Sequence, residues 1–154
     1  MSRLSDKRVR KYFELARNAS QYSDNKRAKL GSVLVYKGRI ISVGYNEGEK
    51  TSPLQKEYNA LRGFNPNSSG VKNTIHSECS CLVRARGANI DFSKAHLFTY
   101  RIKKDGSQGL ARYCPACGGI IRAMGIKNVY YTLDEPGSWC YENLGEELED
   151  RHGT

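Results

Sequence analysis

Val9, Tyr12, Phe13, Ala16 and Ala19 recur at three- and four-residue intervals, with Lys7, Arg8, Arg10, Lys11 and Arg17 between them. That is the spacing of one apolar helix face, and it predicts an amphipathic helix from about Ser5 to Ser20 with a basic outer side. The period then shortens. Two runs rich in Val and Ile, Ser32–Tyr36 and Arg39–Tyr45, flank Lys37-Gly38, the pattern of a β-hairpin closed by a two-residue turn. From Asn46 to Asn73 the chain is polar and dotted with Gly, Pro, Ser and Asn; we read it as loop, with a short helical turn at Tyr58–Leu61. HSECSCLVRARG, from His76, reads as a helix stopped at Gly87. Ala95–Tyr100 reads as a short strand, and a basic loop, RIKKDGSQGLARY, leads from it to YCPAC. Pro115–Met124 reads as a helix, with Pro115 in the first turn and Gly125 as the stop. A strand is predicted at Lys127–Leu133 and an acidic helix at about 141–150.

The order helix, hairpin, helix, strand, helix, strand, helix is that of an α/β protein. A strand–helix–strand unit beside a hairpin makes a mixed sheet with helices on both faces. The 154 residues are read as a single domain, 1–154. With 38% hydrophobic and 27% charged residues the expectation is a soluble globular protein. No stretch approaches the roughly 20 apolar residues that cross a bilayer, and no apolar run follows the N-terminal charges, so neither a membrane partner nor a secretory leader is expected. Five cysteines without such a leader point to reduced thiols and a cytoplasmic setting. Charge is uneven: up to Leu133 there are 24 basic against 9 acidic residues, and from Asp134 onward 1 against 7. A basic body suits anionic partners, either nucleotides or nucleic acid; it also suits plain solubility.

Candidate chemistry begins at Cys114-Pro-Ala-Cys117. Two cysteines at this spacing serve as a redox dithiol, as part of a structural zinc site that recruits Cys79 or Cys81, or as part of a catalytic metal site. His76 and Glu78 decide how it is read. They open one predicted helix, and the two cysteines open another. Helix N-termini favour thiolate, and if the two ends converge on one face of the sheet, His76, Cys114 and Cys117 supply three zinc ligands with a fourth position left open for water, the mark of a catalytic site. Glu78 is placed to move that water's proton. Cys79, Cys81 and Cys140 read as packing residues and His96 as a satisfied core or edge histidine. Tyr100, Arg101 and Tyr113 border the basic loop and are candidate contacts for a base or phosphate, with Lys103, Lys104 and Arg112 as a possible basic rim.

HSE and CPAC, with GRIISVGYN upstream and GIKNVYYT downstream, make the chain resemble the zinc-dependent cytidine and deoxycytidylate deaminase superfamily, most closely its deoxycytidylate branch; the handling of an H-x-E and P-C-x-x-C pair is a known signature of such zinc deaminases. The resemblance implies a three-layer α/β/α cytidine-deaminase-like fold with a mixed sheet of four to five strands. It implies one catalytic Zn2+ per chain on His76, Cys114 and Cys117, with Glu78 as proton shuttle, and Asn46 and Ser77 near the substrate. The implied activity is hydrolysis of dCMP to dUMP, in a homo-oligomer. The alternatives are a deaminase of cytosine or adenine in single-stranded DNA or RNA, and a non-catalytic zinc module that holds nucleotides. The chain departs from the pattern at Ser77, where relatives often carry Ala, and at Tyr113, where they usually carry Pro. It also inserts Arg101–Arg112 before the first cysteine, where substrate choice is expected to be made, and offers no evident strand after Asp134.

Overall fold

The computed structural model describes residues 3–47 and 76–145. The expected turn at Tyr58–Leu61, nearly all of the expected 46–73 loop and the acidic residues after 145 lie outside them.

Helix α1, Asp6–Ser20, starts from Ser5, whose hydroxyl accepts from Arg8 N as an N-cap. It buries the predicted stripe of Val9, Tyr12, Phe13, Ala16 and Ala19. Strands β1, Ala28–Tyr36, and β2, Arg39–Tyr45, form the expected hairpin. Its turn needs two residues at positive φ, and Lys37 at 50° and Gly38 at 76° supply them. Helix α2 is Ser77–Ala85, strand β3 is His96–Lys103, and a two-residue strand β4 is Gln108–Gly109. Helix α3, Pro115–Ala123, strand β5, Asn128–Thr132, and strand β6, Trp139–Asn143, complete the described chain.

The six strands make one mixed sheet, ordered β2-β1-β3-β5-β6 with β4 paired to β3. Only β3 and β5 run parallel, joined through α3; the remaining pairs are antiparallel. One face carries α1 over Val33, Val35, Phe98 and Tyr130. The other carries α2 and α3 over Leu34, Leu97, Val129 and Tyr131. Strand side chains alternate between faces, so consecutive residues of one strand belong to different layers. Two glycines let helices settle directly on strands: a Cβ on Gly31 would strike the backbone of Ala16 and Ser20 in α1, and one on Gly44 the backbone of Ser77 and Cys81 in α2.

Three expectations are corrected. The sheet has six strands rather than four to five. The segment predicted to open an acidic helix at Tyr141 is strand β6, and helical backbone begins only at Leu144. Trp139 and Tyr141 pack on the α1 side and Cys140 on the other, a period of two that the run of glutamates beyond it obscures. Pro136 and Gly137, with Gly137 at φ 79° and Ser138 N bonded to Glu135 O, form the turn that returns the chain from β5. Finally, the basic loop is largely a hairpin: β3 continues to Lys103 and turns at Asp105-Gly106, where the Asp105 carboxylate accepts from Ser107 N and Oγ. Gln108 then ties β4 to the β5–β6 turn, its Nε2 donating to the carbonyls of Leu133, Glu135 and Ser138. No helix among the described residues is long and apolar enough to cross a membrane.

Candidate metal centre and active site

His76 is the N-cap residue of α2 and Cys114 that of α3. Cys114 stays extended at ψ 166°, and its sulfur accepts from Cys117 N at 3.4 Å, while Pro115 occupies the first turn, where no N–H is missed. Both helix starts meet on the same face of the sheet. His76 Nδ1 lies 3.4 Å from Cys114 Sγ and 3.4 Å from Cys117 Sγ, and the three ligand atoms fall within 4.8 Å of one another. A tetrahedral zinc with Zn–S of about 2.3 Å and Zn–N of about 2.0 Å requires N···S edges of about 3.5 Å. The triad fits that ion in donor type and in spacing. Cys79 and Cys81 are buried core residues, and Cys81 Sγ faces Ser42 Oγ at 3.1 Å; they take no part in the cluster.

The two sulfurs are unequal. A hydrogen bond from the Cys117 thiol, helped by His76, outweighs burial and holds the Cys114 thiol down to about 3. Cys117 is pushed up by that same bond and by burial. Zinc takes cysteine as thiolate, so both sulfurs would have to be deprotonated to hold it. Glu78, in the first turn of α2, is 4% exposed. Burial pushes its carboxyl up, against the opposing pull of His76 and of the Ser77 hydroxyl. A carboxyl so placed exchanges protons nearer neutrality than an exposed one. Ser77 Oγ donates to Glu78 Oε1 at 2.7 Å.

The other predicted contacts are distributed as follows. Asn46 is buried, with Oδ1 accepting from Leu30 N and Nδ2 donating to Ala28 O, so its amide is engaged along β1. Tyr113 is also buried; its hydroxyl donates to Glu142 Oε2 at 2.8 Å, and Arg112 Nε and Tyr131 Oη donate to Oε1. That carboxylate on β6 holds the residues just ahead of Cys114. Arg101 lies on the α2–α3 face; Nη1 donates to Leu110 O, and Nε is buried without a partner. Tyr100 faces the α1 side, packed against the cluster of Phe98 and Tyr130, and is not brought to His76 and Glu78. His96 is buried as expected, its Nδ1 2.9 Å from Tyr130 Oη.

Sequence reasoning missed Glu142, Ser32 and Thr99. The signal for the last two is a hydroxyl residue at an inward strand position among Val, Leu and Phe, since a buried polar side chain needs a partner.

The model of the cytidine and deoxycytidylate deaminase zinc-binding region matches residues 6–133. Deoxycytidylate deaminase of Mycobacterium phage D29 is 30% identical over 131 residues, 80% of this chain and 92% of that protein. The dCMP deaminase of cyanophage S-TIM5 is similar in an apo form and in a nucleotide-bound form. The apo form superposes with a TM-score of 0.59 at 25% identity over 87% of this chain and 89% of that one. The form bound to dCMP and dUMP has a TM-score of 0.61 at 22% identity over 99% and 96%. With two helix starts that bring an H-x-E and a C-x-x-C together on one face of a mixed sheet, and with these matches over most of its length, the chain belongs to the cytidine and deoxycytidylate deaminase family and is a hydrolytic nucleotide deaminase.

Proposed function

We propose that this protein hydrolyses the 4-amino group of a cytosine nucleotide, converting dCMP to dUMP and releasing ammonia, with one zinc ion per chain held by His76, Cys114 and Cys117. The observation that carries this reading is the buried carboxyl of Glu78 beside three soft ligands whose spacing suits zinc. The phage D29 relative, a deoxycytidylate deaminase, supports the choice of substrate. When bound, zinc supplies a Lewis acid that makes water nucleophilic near neutral pH.

The chain's own residues supply the proton path. Glu78 takes one proton from the attacking water as the oxygen bonds to C4, and passes it to ring nitrogen N3. It then carries the second proton from the added oxygen to the departing amine. The C4–N bond breaks, ammonia leaves, and C4 keeps the oxygen as the uracil carbonyl. Arg101, with a buried Nε that lacks a partner on the site face, is our candidate for the substrate phosphate; Asn46, Ser77 and Tyr113 are candidates for shaping the pocket, whereas Tyr100, on the α1 side of the sheet, is not. The need for reduced cysteine ligands suits the cytoplasm, and the family resemblance supports a homo-oligomer.

One observation favours a polymer substrate instead. Lys26, Arg27, Lys29, Lys103 and Lys104 line a cavity of about 690 Å³ between the α1–β1 connection and the β3–β4 hairpin. A panel of dCMP, CMP, dCTP, deoxycytidine, single-stranded DNA and tRNA, read by mass spectrometry, separates the two. We expect dCMP to be converted fastest, with affinity that changes little with salt. Conversion of polymers alone, with affinity falling steeply as salt rises, would overturn the nucleotide reading. Arg101→Ala is expected to raise KM for dCMP about tenfold, the value of one charged hydrogen bond of roughly 1.5 kcal/mol, and to leave deoxycytidine unaffected.

A further inference from the structure

We propose that three buried hydroxyls, Thr99, Ser32 and Ser77, form a one-directional hydrogen-bond chain whose task is to aim the carboxylate of Glu78, which makes Ser77 a positioning residue for deamination. The inference rests on the reading of Glu78 as the proton shuttle. The chain begins on β3, crosses β1 and ends on α2. Thr99 Oγ1 lies 3.0 Å from Ser32 Oγ, Ser32 Oγ lies 2.9 Å from Ser77 Oγ, and Ser77 Oγ lies 2.7 Å from Glu78 Oε1. All four side chains are buried.

Proton counting sets the direction. A hydroxyl carries one proton, and an ionised carboxylate only accepts. Ser77 gives its proton to Glu78 and must therefore accept from Ser32. Ser32 has then spent its own proton and accepts from Thr99. Each donor is strengthened by the one behind it, as in other low-dielectric hydrogen-bond chains. The end of the chain is the shortest contact, which is the order expected when the final acceptor is charged.

Position supports the same role. The register of β1 with β3 sets Ser32 directly opposite Thr99. The close approach of α2 to Gly44 brings the Ser77 backbone down onto the sheet, where its hydroxyl meets Ser32. The inward neighbours on the same strands are Leu34 and Leu97, so hydroxyls at these two places are a departure from an apolar layer. An alanine at 77 would leave Glu78 Oε1 and Ser32 Oγ without this bond.

The test compares wild type with Ser77→Ala, Ser32→Ala, the double variant and Ser42→Ala. The last removes a buried hydroxyl of the same face that bonds Cys81 rather than the chain. Two readouts are taken. Steady-state kinetics on dCMP are expected to give kcat about tenfold lower for Ser77→Ala with KM and zinc content unchanged, a smaller loss for Ser32→Ala, no further loss in the double variant, and no change for Ser42→Ala. Infrared difference spectra against Glu78→Gln isolate the C–O stretching bands of Glu78 without any turnover. Those bands are expected to shift in Ser77→Ala and Ser32→Ala and to stay in place in Ser42→Ala. Unshifted bands in Ser77→Ala, or Ser32 and Ser77 losses that simply multiply, would overturn the chain. An effect confined to KM would make Ser77 a substrate contact and overturn its positioning role. Shifted bands in a protein that converts no cytosine nucleotide would leave the chain standing and remove the proposed function.

Discussion

Phe98 and Thr99 are neighbours on β3 and belong to different worlds. Phe98 points to the α1 side, stacked on Tyr130 at 4.2 Å and met edge-on by Phe13. Thr99 points to the other side, into the hydroxyl chain beneath Glu78. Val33 and Ser32 on β1 repeat the division. The α1 face is aromatic and apolar, with little to titrate besides His96 and tyrosine hydroxyls. The α2–α3 face holds the buried carboxyl, the metal-fitting triad and the buried serines. A period-two strand thus lets one layer carry stability and the other carry chemistry from adjacent residues. Substitutions on the two faces should separate accordingly.

The largest effect belongs to the chemical face. Cys117→Ser is expected to bring zinc, measured by elemental mass spectrometry, well below one per chain and turnover to background, because a hydroxyl replaces a thiolate ligand. Next is the opposite face: Phe98→Ala should lower unfolding free energy by about 3–5 kcal/mol in denaturant titration, while kcat per folded molecule stays at the wild-type value. Loss of kcat without loss of stability at Phe98 would erase the division.

A smaller effect comes from acid. Burial holds the His96 imidazole down to about 4 against an ordinary value of 6.5. The fold therefore favours neutral His96, and that contribution is complete above about pH 6.5 and lost as pH falls toward 4. His96→Asn keeps an acceptor for Tyr130 but does not titrate. Its stability deficit at pH 7 should shrink or reverse by pH 4.5, as read by thermal melting, whereas a constant deficit would mean that His96 is not the titrating group.

Much of this was legible along the chain because it is local. The stripe of α1, the Lys37-Gly38 turn and the two helix starts each depend on a few adjacent residues. The convergence of His76, Cys114 and Cys117 was legible because His76 and Cys114 both read as helix openings. What escaped was either masked locally or built from distance. The acidic run after β6 outweighed the alternation of Trp139–Asn143, and Pro136-Gly137 was the overlooked punctuation. The hairpin at Asp105-Gly106 was hidden in a basic stretch that read as loop. The hydroxyl chain joins residues 45 and 67 positions apart, so no window along the sequence contains it. The register of β1 with β3 and the seating of α2 on Gly44 create it together.

The central claim is that Glu78 moves protons at a zinc site it does not itself hold. Glu78→Gln keeps the shape of the side chain and removes its ability to exchange protons. Zinc content and dCMP turnover measured together on wild type and E78Q test that claim most directly. The account predicts one zinc per chain in both proteins and a kcat lower in the variant by about 10²–10⁴-fold. Wild-type protein purified without zinc, or an E78Q protein that deaminates at the wild-type rate, would contradict it.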